Sequence, residues 1–141
     1  MNELQGKRIL VVEDNVINLA VFATVLKQSG AIVVQDYWNT DIVNLIVRQL
    51  PVDAILLDLM LKHQINGYSV FDKIQSQPDQ DGIPVIVVSA ADPDVEIPRA
   101  KEKGMAGFIG KPISPSRFPQ QVADCINGHP VWYTPIGLWD E

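Results

Sequence analysis

Short β-branched runs alternating with longer stretches of helical spacing predict an α/β domain built on a doubly wound, five-stranded parallel sheet in three layers, α/β/α. Three observations carry that prediction. Five runs, at residues 8–12, 31–34, 53–57, 84–88 and 107–109, are nearly continuous Ile, Leu, Val, Ala or Phe, as in strands buried on both faces. Between them apolar residues recur at i, i+3, i+4 and i+7, the period of a helix with one buried face. Gly or Pro punctuates the ends of most of these segments.

The elements follow in order. Leu19, Phe22, Ala23 and Leu26 share one helical stripe, so the first helix is expected over 15–29 with Gly30 as its stop. Asn39 or Thr40 can cap a second helix whose Ile42, Leu45, Ile46 and Leu50 form a stripe before Pro51. A third, over 67–76, buries Val70, Phe71 and Ile74, and the polar stretch 77–82 reads as a loop. Asp92-Pro93 has the form of a cap and first-turn proline, but Pro98 would then lie inside the helix. The regular part of the fourth helix is therefore expected from Pro98 to Gly104. For the fifth, a cap at Ser116 rather than Ser114 leaves Pro119 at the third helical position. The last fifteen residues, with Trp132, Tyr133 and Trp139, lack helical periodicity. They are expected to form a tail, 127–141, packed on a domain spanning 1–126.

Composition narrows the function. The chain has 141 residues, 47% of them apolar, which suits one folded domain and excludes a disordered chain. Seventeen acidic against 11 basic residues leave a formal charge of −6, which argues against nucleic acid as a partner. The one cysteine, Cys125, can form neither an internal disulfide nor a cysteine cage for a metal, and a cytoplasmic location fits. Its expected place is the apolar face of the last helix. His63 and His129 fall in separate loops without a second ligand at metal spacing. The longest apolar runs are far shorter than the ~20 residues of a membrane span, so no membrane partner is expected.

In an open doubly wound sheet, ligands bind beyond the carboxyl ends of the strands. Glu13 and Asp14 follow the first strand, Asp58 ends the third, Ser89 follows the fourth, and Lys111-Pro112 follows the fifth. Each alone is an ordinary cap, turn or surface residue. Together they set three carboxylates, a hydroxyl and an ammonium at one edge. At ~4 Å and an effective dielectric near 20, each like-charge carboxylate pair repels by about 4 kcal/mol. Such a cluster takes up protons or binds a cation, and hard oxygen donors at an open edge suit Mg²⁺. The set is arranged to hold a divalent metal beside a phosphoryl group, with one carboxylate as nucleophile.

These residues, in this order, resemble the receiver domains of two-component response regulators over residues 7–127. The motifs are Arg-Ile-Leu-Val-Val-Glu-Asp-Asn (8–15), Ala-Ile-Leu-Leu-Asp-Leu-Met-Leu (54–61), Asn66-Gly67, Pro-Val-Ile-Val-Val-Ser-Ala (84–90), and Ala100, Gly104, Phe108, Lys111 and Pro112. The resemblance implies the flavodoxin-like strand order 2-1-3-4-5. It implies Asp58 as the phosphoacceptor, taking a phosphoryl group from the phosphohistidine of a sensor histidine kinase or a histidine phosphotransfer protein. It implies Mg²⁺ held by Glu13, Asp14, Asp58 and the backbone carbonyl of Met60, with Ser89 and Lys111 on the phosphoryl oxygens. Phe108 matches the aromatic switch residue that works with Ser89, and a cis bond is implied between Lys111 and Pro112. The expected product is a stand-alone receiver with a switched protein-binding surface, monomeric or weakly dimerising when phosphorylated. It is no enzyme beyond its own phosphotransfer and dephosphorylation.

The chain departs from the family pattern beside this site. Lys62 stands where a proline is usual, and Asn66-Gly67 come one residue late, which places the loop carrying Met60 and the start of the third helix in question. The positions two beyond Asp58 and two beyond Ser89 are Met60 and Ala91, neither suited to orient an attacking water, so a long-lived phosphoryl group is expected. Three other readings compete. A receiver that binds proteins without phosphorylation is argued against by the full set of site residues, although the shifted loop leaves room for it. A Mg²⁺-dependent aspartyl-phosphate hydrolase of the haloacid-dehalogenase type would need a second Asp where Met60 stands. In a flavodoxin-like cofactor carrier, Glu13-Asp14 would repel the phosphate.

Overall fold

The computed structural model describes residues 2–36, 41–61 and 65–135, the side chain of Asp36 excepted. Strands and helices alternate: β1 (Arg8–Val12), α1 (Val16–Gln28), β2 (Ile32–Asp36), α2 (Ile42–Gln49), β3 (Ala54–Leu57), α3 (Gly67–Gln75), β4 (Val85–Ser89), α4 (Pro93–Lys103), β5 (Gly107–Gly110), α5 (Phe118–Ile126) and β6 (Val131–Tyr133). All pair in parallel in one sheet of order β2-β1-β3-β4-β5-β6.

The period-2 geometry of the strands explains why their runs are apolar throughout. Leu10, Val12, Ile55, Leu57, Val85, Val87 and Phe108 face one way and pack with Ile42, Ile46, Phe71, Ile74, Ile97 and Ala100 of α2, α3 and α4. Ile9, Val11, Leu56, Ile86, Val88 and Ile109 face the other way and pack with Leu19, Phe22 and Leu26 of α1 and Phe118 and Val122 of α5. The two half-cores leave the carboxyl edge of the sheet as the one place where strands end in polar groups. Among the described residues, no helix is long and apolar enough to cross a membrane.

The five-stranded expectation is corrected to six, because Val131–Tyr133 of the tail pairs with β5. Three residues are too few for a period to show in sequence. Trp139 lies outside the described residues, as do Asn39 and Thr40. The cap position of α2 is Asp41, and Leu50 ends that helix 38% exposed rather than joining its buried stripe.

The fourth helix is one turn longer than expected and runs through Pro98. The Asp92 side chain accepts from the Asp94 amide, and Pro93 occupies the first turn. The carbonyl that Pro98 leaves without an i→i−4 donor is that of Asp94, and both residues are exposed, so water can replace the lost bond. Burial of Ile97 and Ala100, with Gly104 as a left-handed cap, holds the rest. The fifth helix begins one residue later than a Ser116 cap would place it. The Ser114 carbonyl accepts from Arg117 and Phe118 in a preceding turn. Pro119 thus falls at the second helical position, where an amide has no partner to lose. Asn15, Asn66 and Gly104 cap α1, α3 and α4, and the polar 77–82 stretch is a loop.

Candidate functional site at the carboxyl edge of the sheet

The parallel register sets β1 and β3 side by side, Val12 opposite Leu57, so the residues that follow them meet. Glu13 is 1% exposed and Asp58 6%, with Asp14 partly exposed between them and the solvent. One carboxylate oxygen from each lies within 4.8 Å of the others. Backbone groups fix the two buried acids. The Asn15 amide donates to Glu13 Oε2 at 3.1 Å, and the Met60 amide donates to Asp58 Oδ1 at 3.2 Å.

Lys111, delivered from the end of β5, enters this cluster. Its Nζ donates to Asp58 Oδ2 at 3.0 Å and pairs with Glu13 Oε1 at 2.6 Å. Burial pushes the Glu13 carboxyl up against the pull of Lys111. Burial would by itself lower the Lys111 ammonium, but the two carboxylates outweigh it and hold it above the ordinary lysine value. Glu13 Oε1, though ion-paired, is buried and receives no well-aligned hydrogen bond. Two buried acids, a third at the rim and one ammonium leave a net negative charge, and that donor set fits a hard divalent cation. The Lys111–Pro112 bond is cis.

Ser89 closes β4 fully buried, its Oγ accepting from the Ala91 amide at 3.1 Å, and its carbonyl accepts from the Lys111 amide at 2.9 Å. Phe108 has no exposed surface and sits beside Val87 in the sheet register. Met60 is 70% exposed at the rim.

The late Asn66-Gly67 pair does not move the helix away from Asp58. Met60 and Asn66 form an antiparallel bridge, the Leu61 amide donates to Ile65, and the Gly67 amide donates to the Leu59 carbonyl at 2.9 Å. Gly67 then lies so close that a Cβ there would strike the Asp58 carbonyl and approach Leu59 Cα at 2.8 Å. Residues 62–64, Lys62 and His63 among them, lie outside the described residues.

Two features had no signal in the sequence. Tyr68 donates its hydroxyl to Glu96 Oε1 at 2.8 Å, with the Arg99 guanidinium 4.5 Å from its ring centre, and so ties α3 to α4. Burial and the Glu96 carboxylate raise the Tyr68 phenol well above the ordinary value. Thr134 and Pro135 of the tail reach the space beside Ser89 and Phe108. Cys125 is buried as expected, its thiol pushed up to about 11 by burial.

Known proteins resemble this chain in sequence and in fold. The polar-differentiation response regulator DivK of Brucella ovis is 28% identical over 116 residues, which are 82% of this chain and 93% of that protein. A putative response regulator from Chloroflexus aurantiacus superposes with a TM-score of 0.77 at 22% identity, covering 87% of this chain and 99% of that one. The receiver domain of the sensor histidine kinase PA1611 from Pseudomonas aeruginosa PAO1, solved with magnesium coordinated in its active-site cleft, superposes with a TM-score of 0.74 at 27% identity over 86% and 98% of the two chains. The family model of the response regulator receiver domain matches residues 9–123, and the chain belongs to that family.

Proposed function

We propose that this receiver is a phosphorylation-controlled binding module with Asp58 as its phosphoacceptor. The observation that carries the reading is the meeting of three carboxylates within 4.8 Å, with Lys111 Nζ 3.0 Å from Asp58 Oδ2. In the transfer, an Asp58 carboxylate oxygen attacks the phosphorus of a phosphohistidine. The new O–P bond replaces the N–P bond, and the imidazole leaves and takes up a proton. The donor is a sensor histidine kinase or a histidine phosphotransfer protein.

Glu13, Asp14, Asp58 and the Met60 carbonyl would hold Mg²⁺, which supplies positive charge to the phosphoryl oxygens. Lys111, already bonded to the acceptor, screens the carboxylate against the incoming anion and stays on the transferred group. The hydroxyl of Ser89, whose oxygen accepts from the Ala91 amide, turns its own O–H to donate to a phosphoryl oxygen, and the repacking reaches Phe108. The chain is a cytoplasmic signalling protein whose only chemistry is on itself, and its output is a protein-binding surface. Met60 and Ala91 offer no side-chain hydrogen bond for a hydrolytic water, which favours a long-lived phosphoryl group.

Incubation with Mg²⁺ and acetyl phosphate, followed by intact mass, tests the reading. One phosphoryl group is gained by the parent and none by Asp58→Asn. A parent that gains none overturns the proposal, and steady phosphate release from varied esters would favour a hydrolase. After donor removal, Met60→Asn with Ala91→Glu dephosphorylates faster than the parent; an equal rate sinks the lifetime reading.

A further inference from the structure

The sixth strand is fitted to β5 with little room to spare. Gly107 and Gly110 stand at the two ends of β5, and neither has space for a side chain. A Cβ on Gly107 would lie 2.8 Å from the Val131 carbonyl oxygen, and one on Gly110 would lie 2.9 Å from Pro135 Cδ and 3.3 Å from Thr134 Cα. The helices on either side each hold one aromatic of the strand. Lys101 Nζ of α4 lies 5.1 Å from the Trp132 ring centre, and the Arg117 guanidinium before α5 lies 5.1 Å from that of Tyr133. In the register Trp132 stands beside Phe108, and Tyr133 beside Ile109.

The end of this segment also shares a void with the candidate phosphoryl site. A cavity of about 190 Å³ is lined by Ser89, Phe108 and Lys111 on one side and by Thr134 and Pro135 on the other. Thr134 is buried.

We propose that the edge of β5 is a strand-docking groove filled in cis by residues 131–135, and that the phosphoryl state of Asp58 sets how firmly this segment is seated. The coupling rests on the phosphoacceptor reading above. When the Ser89 hydroxyl is drawn to a phosphoryl group on Asp58, the cavity widens under Thr134 and Pro135 and the tail loses packing. A three-residue edge strand belongs to the low-stability end of a fold and responds to such a loss before the core does. Its release frees the backbone groups of Gly107–Gly110 for an extended partner segment that adds in parallel and sets an aromatic residue where Trp132 was.

Amide hydrogen exchange on the full chain, with phosphoryl occupancy read from intact mass, tests this. With Mg²⁺ and acetyl phosphate, the amides of 131–133 are expected to exchange about fivefold faster or more in the parent and to stay unchanged in Asp58→Asn. Gly110→Val and, as a milder variant, Trp132→Ala are expected to speed the same amides without any donor, while β1 and β3 keep their protection and Asp58 still gains its phosphoryl group. A phosphoryl gain that leaves 131–133 unchanged overturns the coupling and spares the phosphoacceptor reading. Unchanged exchange in both variants overturns the groove, and a parent that gains no phosphoryl group overturns both the coupling and the reading beneath it.

Discussion

Two regions of the sheet, the exits of its central strands and its β5–β6 edge, are held by different forces. At the exits of β1 and β3, Glu13 and Asp58 are buried charges whose cost is met by Lys111 and by backbone amides, so the region is strained electrostatically and well defined geometrically. At the β5–β6 edge the residues are glycines and half-buried aromatics, and the fit depends on close backbone approach and cations over rings. One region is specified by charges that must find partners, the other by side chains that must be absent. Substitutions should therefore act on the first through unpaired charge and on the second through displaced backbone.

The largest effect separating the two belongs to Lys111→Met, which leaves Glu13 and Asp58 buried without their cation; about 3–5 kcal/mol of stability should be lost in urea titration at neutral pH. A loss under 1 kcal/mol would show that water or ions already serve the cluster. Gly67→Ala forces a Cβ against the Asp58 carbonyl and should cost about 2–3 kcal/mol, with the chemical shifts of Asp58 and Leu59 moving most in NMR spectra. If the shifts move first at α4, the close approach is not what holds α3.

Cys125 allows the second region to be probed by pH. Its thiol has a folded pKa of about 11 against an ordinary 9.0, so the native state binds the proton more tightly. The corresponding stability is full below pH 9, declines as pH rises through the folded value, and amounts to about 2 kcal/mol. Melting followed from pH 8 to 11 should show a decline that Cys125→Ala lacks; parallel declines would place the alkaline weakness elsewhere. Trp132→Ala gives the smallest change, about 1 kcal/mol, since the ring is only partly buried and rests mainly on Lys101 and the edge of the core. A cost near that of Gly67→Ala would mean that β6 is integral to the core.

Strong periodicity made most of the fold readable in advance. The strands β1 and β3 and the helices α1 and α3 follow from side-chain pattern, because burial on both faces of a sheet demands unbroken apolar runs and burial of one helical face demands a repeat near 3.6. The joint meeting of Glu13, Asp14, Asp58 and Lys111 was equally legible, since each ends a strand and parallel strands end together. Pro98 misled because its cost depends on where the orphaned carbonyl points, and here Asp94 faces water. The strand β6 was invisible for a different reason. Its stability comes from the glycines of a distant segment, and no local period in Val131-Trp132-Tyr133 records them.

The clasp around the Asp58 loop also bears on how such a protein can diversify. Asp58 and the start of α3 are locked together by Gly67 on the Asp58 carbonyl and by the Gly67–Leu59 and Leu61–Ile65 backbone bonds. Loop closure becomes only slowly more costly with length. The connection between Leu61 and Ile65 can therefore vary in length while these backbone bonds keep Asp58 against α3, so that diversity in the connection and constancy at Asp58 need not conflict.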